Sequence, residues 1–223
     1  MRAFRAAVVM VALTAPACTG EDASSVSNSA TSSPSTSDAE ISGLRPVEGY
    51  RDHCEGCGFH GEVPATLRRP LHLPEMEPGD RCPAPKPHPV HPSFSEALGN
   101  GPVFPILTPD QREMVFEYPP SERSVFFGSE WSGVKVLWVA DPSYDGPVLV
   151  RGHQLDGPNP LGFEIGKVPF VEMQLHPLRG NLARGWANWS STTRVRAPGC
   201  YAYQVDGTDF SLVIVFRAVV AER

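Results

Sequence analysis

Between Pro83 and Pro89 every second residue is proline (Pro83-Ala84-Pro85-Lys86-Pro87-His88-Pro89), and the surrounding stretch 45–120 holds 15 of the chain's 24 prolines. Each proline fixes its own φ, removes an N–H and biases its predecessor toward extended geometry. The stretch is therefore expected to run as polyproline II or irregular coil. A helical bundle is excluded, because an interior proline costs a helix about 3 kcal/mol. Wholesale disorder is excluded as well, since 41% of the 223 residues are hydrophobic and 9% aromatic, enough to build a core. A loop-rich β domain satisfies both constraints.

From Glu113 onward the pattern changes. Met114–Tyr118, Ser124–Phe127, Val134–Ala140, Val148–Arg151, Val168–Leu175, Thr192–Arg196, Tyr201–Val205 and Phe210–Val219 are rich in β-branched and aromatic residues. Between them stand Asp141-Pro142, Asp145-Gly146-Pro147, Asp156-Gly157-Pro158 and Asp206-Gly207, residues that turns select for fixed or positive φ. The expected fold is mainly β, an antiparallel sandwich over 113–223, with 45–112 as a Pro-rich irregular cap. Within the cap, Ser93–Leu98 carries a short helix signal, with Ser93 as cap and Glu96 three residues on. Val103–Leu107 is too apolar for free coil and is expected to lie against the second half.

Tyr201-Ala202-Tyr203-Gln204-Val205 alternates and precedes the Asp206-Gly207 turn. The stretch Ala197-Pro198-Gly199-Cys200-Tyr201-Ala202-Tyr203 resembles the Pro-Gly-x-Tyr-x-Tyr start of the penultimate strand in bacterial immunoglobulin-like domains. That resemblance implies an immunoglobulin-like sandwich with a tyrosine corner, in which the hydroxyl of Tyr201 or Tyr203 bonds upstream backbone.

The N-terminus carries an address. Arg2 and Arg5 precede an apolar core from Ala6 to Leu13, closed by Thr14-Ala15-Pro16-Ala17-Cys18; this is a secretory signal, too short to span about 30 Å of hydrocarbon. The Ala15-Pro16-Ala17-Cys18 segment resembles the lipobox of bacterial lipoproteins. The resemblance implies cleavage after Ala17 (signal 1–17), a lipid such as diacylglyceryl and palmitate on Cys18, and residence on the outer face of the cell membrane. Simple cleavage and secretion is the alternative. From Thr19 to Ser42, 12 of 24 residues are Ser or Thr, so 18–44 is expected to be a disordered tether reaching roughly 25–30 Å.

Function classes are narrowed mainly by what is missing. A net charge of −6, with 19 basic against 25 acidic residues, argues against a nucleic-acid partner. No Gly-x-Ser-x-Gly, His-Glu-x-x-His or Walker motif is present, which favours a non-catalytic binding or structural module over an enzyme. Gly56-x-Gly58-x-x-Gly61 matches a dinucleotide fingerprint by letter, but no strand precedes it and Pro64 follows.

The chemistry-bearing residues cluster at His53-Cys54-Glu55-Gly56-Cys57-Gly58-Phe59-His60. His53, Cys54, Cys57 and His60 have the ligand types of a tetrahedral zinc site, with Cys82, His88 and His91 as substitutes, and this metal or redox reading is the alternative function. In an exported protein disulfides are the competing use. Cys54, Cys57, Cys82 and Cys200 allow three pairings, and the favoured one joins Cys82 to a member of the Cys54/Cys57 pair and Cys200 to the other. Asp141, Asp145, Asp156, Asp206 and Asp209 are loop carboxylates of the kind that bind calcium, although turn chemistry already accounts for most of them. Trp131, Trp138, Trp186, Trp189 and Tyr144 are candidates for a glycan or protein contact. Trp138 sits in an apolar strand and is expected in the core, whereas Trp186 and Trp189, beside Arg184 and Asn188, are expected to be partly exposed, with packing as their main use and a glycan or protein contact as the alternative.

Overall fold

The computed structural model describes residues 44, 64–77, 79–107, 113–176, 181–183 and 185–222. The signal, the tether, Cys18, the His53–His60 cluster and the Gly56–Gly61 stretch lie outside the described residues.

The described residues form a mainly β sandwich of two sheets. The first sheet has the order β1 (Val103–Ile106), β3 (Ser132–Ala140), β8 (Trp186–Val195) and β5 (Gly162–Phe163), with β7 (Asn181–Ala183) also paired to β8. The second has the order β2 (Met114–Phe116), β10 (Ser211–Val220), β9 (Gly199–Asp206), β4 (Val148–Gln154) and β6 (Met173–Leu175). All pairings are antiparallel except β2 with β10, which is parallel, so the purely antiparallel expectation is corrected at that one edge.

The β9–β10 hairpin forms where the alternating pattern and Asp206-Gly207 place it, with Ser211 opposite Asp206 and the Gly207 N–H donating to the Phe210 carbonyl at 3.0 Å. Tyr201 makes the corner: its hydroxyl donates to the Ala197 carbonyl at 2.8 Å. Tyr203 is used differently, crossing the core to share a 2.8 Å hydrogen bond with Thr193 of the opposite sheet. Around it the core is aromatic, with Trp138 edge-on to Tyr203 at 5.1 Å and Phe216 stacked on it at 4.5 Å. Such contacts add roughly 0.5–1.5 kcal/mol each beyond the area they bury.

The Pro-rich segment is a strap over the outside of the sandwich. Leu67 packs on Leu149, and Leu73, Met76, Cys82 and Ala84 cover Cys200, Ala202 and Val215 on the outer face of the second sheet. Farther along, Val90, Phe94 and Ala97 cover Val139, Leu137 and Trp186 on the outer face of the first. Proline suits this position because a chain short of N–H groups can lie on an apolar face with fewer donors left unpaired. As a result β9 is buried along nearly its whole length, although its alternation reads as one dry and one wet face.

Two local expectations fail for identifiable reasons. Ser93–Leu98 forms no helix: Ala97 exchanges backbone hydrogen bonds with His88 at 2.9 and 3.0 Å, and the Leu98 N–H goes to the Pro105 carbonyl. These tertiary bonds outcompete one marginal turn of helix. Ser124–Phe127 forms turns instead of a strand. The Ser124 hydroxyl accepts the Phe126 N–H at 3.1 Å, a local side-chain bond that competes with ladder formation.

Candidate functional site

The strap leaves part of the first sheet's outer face uncovered, and a cleft of about 320 Å³ opens there. Strand alternation sets its floor. Val136 and Trp138 of β3 point into the core, so Gly133 and Lys135 face out; on β8, Ser190 and Thr192 do the same. Lys135 lies directly opposite Thr192 in the register. Val125 and Phe126 from the 124–131 turns, and Glu164 and Ile165 from the segment after β5, form the walls.

Arg194 holds those walls in place. It is fully buried, and its guanidinium donates to the carbonyls of Ser132 at 3.0 Å, Glu164 at 3.0 Å, Gly166 at 2.8 Å and Trp131 at 2.9 Å. It also donates to the Ser129 hydroxyl at 3.2 Å and lies 4.0 Å over the Phe126 ring. Ser129 in turn donates to the Lys167 carbonyl at 2.6 Å, tying the two wall segments together. Gly133 makes room for this arrangement, since a Cβ there would come within 2.6 Å of the Arg194 side chain and 2.9 Å of the Thr193 carbonyl.

Glu164 is the unusual residue. Among the described residues it is the one non-glycine with positive φ, at 69°, a conformation that costs free energy and collects at functional sites. Its N–H donates to the Thr192 carbonyl at 2.8 Å. The residue is 3% exposed, and its Oε1 has no hydrogen-bond partner. Burial pushes its carboxyl from 4.5 up to about 8, against a smaller opposing effect of a hydrogen bond with the Thr192 backbone. At neutral pH Glu164 is thus mostly an uncharged acid able to donate a proton to a hydrogen bond.

The rim is apolar. Val125, Phe127 and Ile165 are 79%, 58% and 52% exposed, and Val168 on the same loop as Ile165 is also exposed. These are four of the seven exposed large hydrophobic residues among those described, and such gathering marks interaction surfaces.

A second groove, of about 510 Å³, runs beside Cys82, Cys200, Asp80, Asp156 and Arg217. The Asp156 carboxylate there is already committed: both oxygens accept the Cys200 N–H at 3.0 Å and Oδ1 accepts Gln154 Nε2 at 2.9 Å. It is a brace for β9, and the Glu164 cleft is the better candidate despite its smaller size.

The residues singled out from sequence are distributed as follows. Cys18, His53, Cys54, Cys57 and His60 lie outside the described residues. Cys82 is bonded to Cys200, with Cα atoms 5.4 Å apart, so the favoured pairing of Cys82 with Cys54 or Cys57 is corrected, and Cys82 is unavailable as a thiolate ligand. The strap crosses β9 at Cys200, a proximity that sequence separation hid. His88 and His91 pack on rings, His91 5.5 Å from Trp186 and His88 6.2 Å from Phe104, and no metal-holding group of His, Cys, Asp or Glu occurs among the described residues. Trp138 is in the core as expected. Trp186 and Trp189 are both buried, which corrects the expectation of partial exposure and removes them as a glycan platform: Trp186 lies beneath Phe94 and His91 of the strap, and Trp189 faces the core. Trp131 is buried too, and Tyr144 donates to the Pro147 carbonyl at 2.7 Å. Of the loop aspartates, Asp141 accepts the Ser143 N–H in its own turn, and Asp206 is enclosed by arginines, as described in the Discussion.

Glu164 and Arg194 escaped the sequence reading. Arg194 sits in an expected strand, and nothing local distinguishes it. The only hint at Glu164 is its setting, Gly162-Phe163-Glu164-Ile165-Gly166, a lone acid between apolar residues flanked by glycines. Comparison with protein-family models, curated proteins and solved structures finds no match.

Proposed function

We propose that this chain is an exported protein, fastened to the outer face of the cell membrane by a lipid on Cys18, which presents its β-sandwich as a non-catalytic binding module. The observation that carries the reading is the Cys82–Cys200 bond, because disulfides form and persist in oxidising, extracytoplasmic surroundings. The lipobox-like Ala15-Pro16-Ala17-Cys18 and the Ser/Thr-rich stretch after it supply the anchor and spacer. Two acyl chains on one cysteine make anchoring stable where a single chain does not. The Glu164 cleft is the binding face of the module.

Detergent phase partitioning of the chain made in a lipoprotein-processing bacterium tests the anchor. The wild type is expected in the detergent phase and Cys18→Ala in the aqueous phase. A Cys18→Ala protein that stays with the membrane overturns it.

A further inference from the structure

The cleft floor offers donors in excess of acceptors. Lys135 is exposed and has no ion-pair partner among the described residues, and the side chains of Ser190 and Thr192 have no intramolecular hydrogen bond there. Lys135 is one of only three lysines in the chain and the single cationic side chain lining the cleft. The one acidic lining residue, Glu164, is pushed by burial up to about 8, so at neutral pH it sets little negative charge against Lys135. Above this floor stand the exposed apolar side chains of Val125 and Ile165. A polar, cationic floor beneath an apolar wall is complementary to a small molecule with an anionic acceptor at one end and hydrocarbon at the other. The volume of about 320 Å³ is at the lower end of the roughly 300–1,000 Å³ of small-molecule sites.

We infer that the cleft binds an amphiphilic carboxylate, its head held by Lys135, Ser190 and Thr192 and its hydrocarbon arm laid along Val125, Phe126 and Ile165. The inference rests on the reading of this cleft as the binding face. Glu164 Oε1 is closed to solvent behind the cleft lining, so the acid acts on the ligand through its charge and not by contact. While Glu164 is neutral the Lys135 ammonium is unopposed; when Glu164 ionises its negative charge repels the head. The other charged groups on the elements around it are Lys135 on β3, Arg194 on β8, Lys167 in its own loop, and the Glu130–Arg196 pair at 3.2 Å. Arg194 donates to the Glu164 backbone carbonyl at 3.0 Å.

Titration calorimetry of the purified full chain with octanoate, butyrate, octylammonium and octyl glucoside tests this. Octanoate is expected to bind one-to-one, with butyrate and octylammonium each at least tenfold weaker. Lys135→Gln lowers octanoate affinity at least fivefold. From pH 7 to pH 9 wild-type affinity falls about tenfold, as a group titrating near 8 requires, and in Glu164→Gln that fall disappears. Octylammonium or octyl glucoside binding as tightly as octanoate, with Val125→Ser and Ile165→Ser weakening it, overturns the carboxylate assignment while leaving the cleft as a binding face. Absence of binding by every probe overturns both. Unchanged octanoate affinity in Lys135→Gln also overturns the inference.

Discussion

Two of the three carboxyls buried among the described residues lie one under each outer face, and they are treated in opposite ways. Asp206, at the end of β9 under the strap, is 0% exposed. It accepts Ser211 Oγ at 2.7 Å, Arg151 Nη2 at 2.8 Å, Gln204 Nε2 at 3.0 Å and Arg69 Nη1 at 3.3 Å. Glu164, beside the open cleft, has an oxygen with no partner at all. Burial is the largest influence on both and raises both. For Asp206 the hydrogen bonds from Ser211, Gln204 and Arg151, with the charge of Arg151, outweigh it and hold the carboxyl below its ordinary 3.8; for Glu164 nothing comparable opposes it. Two carboxyls closed to solvent thus end as a structural anion on one face and a strained neutral acid on the other.

The surroundings match this division. The Asp206 network stitches the strap to the sheet: Gln204 accepts the His72 N–H at 2.7 Å and donates to the Pro70 carbonyl at 3.0 Å, and Arg69 donates to the Gly207 and Phe210 carbonyls at 2.9 Å. With the Cys82–Cys200 bond, this fastens the strap over much of the second sheet's face. On the first sheet the strap stops short, and the exposed rim and free donors remain.

The sharpest way to break the comparison is Asp206→Ala, which strands Arg151 and Arg69 beside an uncompensated cavity. A loss of roughly 3–5 kcal/mol in urea unfolding is expected; a loss under about 1 kcal/mol makes the network ornamental. Next in size, replacing Cys82 and Cys200 together by alanine opens a link between residues 118 apart and costs roughly 2–5 kcal/mol, with faster exchange of the His72 amide. Exchange unchanged at His72 means the strap is held without the disulfide.

The two acids also predict opposite pH profiles. Asp206 has a depressed folded value, so its contribution is complete above the unfolded 3.8 and is lost as pH falls through the folded value. Glu164 has a raised one: stability declines as pH climbs from 4.5 toward about 8, because the unfolded chain ionises first. Each unit in that window is worth up to about 1.4 kcal/mol, reduced by relaxation around the carboxylate. Glu164→Gln is therefore expected to exceed wild type by about 2 kcal/mol at pH 8.5 and to converge with it near pH 4; parallel curves across the range defeat the assignment. The smallest effects belong to the rim, where Val125→Ser and Ile165→Ser should each change stability by less than about 0.5 kcal/mol. A larger loss places those side chains in packing.

How much of this could be read in advance follows from the range of the interactions involved. The Asp206-Gly207 turn, the Tyr201 corner and most strands depend on neighbours within a few residues, and they stand where the sequence puts them. Ser93–Leu98 and Ser124–Phe127 were misread because bonds from His88 and Pro105, and from the Ser124 hydroxyl, override weak local preference. Polar neighbours in sequence reveal neither the strap from residues 88–98 that covers Trp186 nor the core into which Trp189 faces. Glu164 and Asp206 look alike on paper, both acids next to turns.

By itself, then, the sequence determined the β architecture, its turns and the Pro-rich covering, since these follow from φ restriction and side-chain alternation. Only the tertiary structure decided that Cys82 meets Cys200, that the strap covers much of one face and spares part of the other, and that Asp206 is held as an anion while Glu164 is kept neutral. The decisive partners lie far along the chain, 118 residues for Cys82 and Cys200 and 55 for Arg151 and Asp206, and chain neighbours carry no record of them.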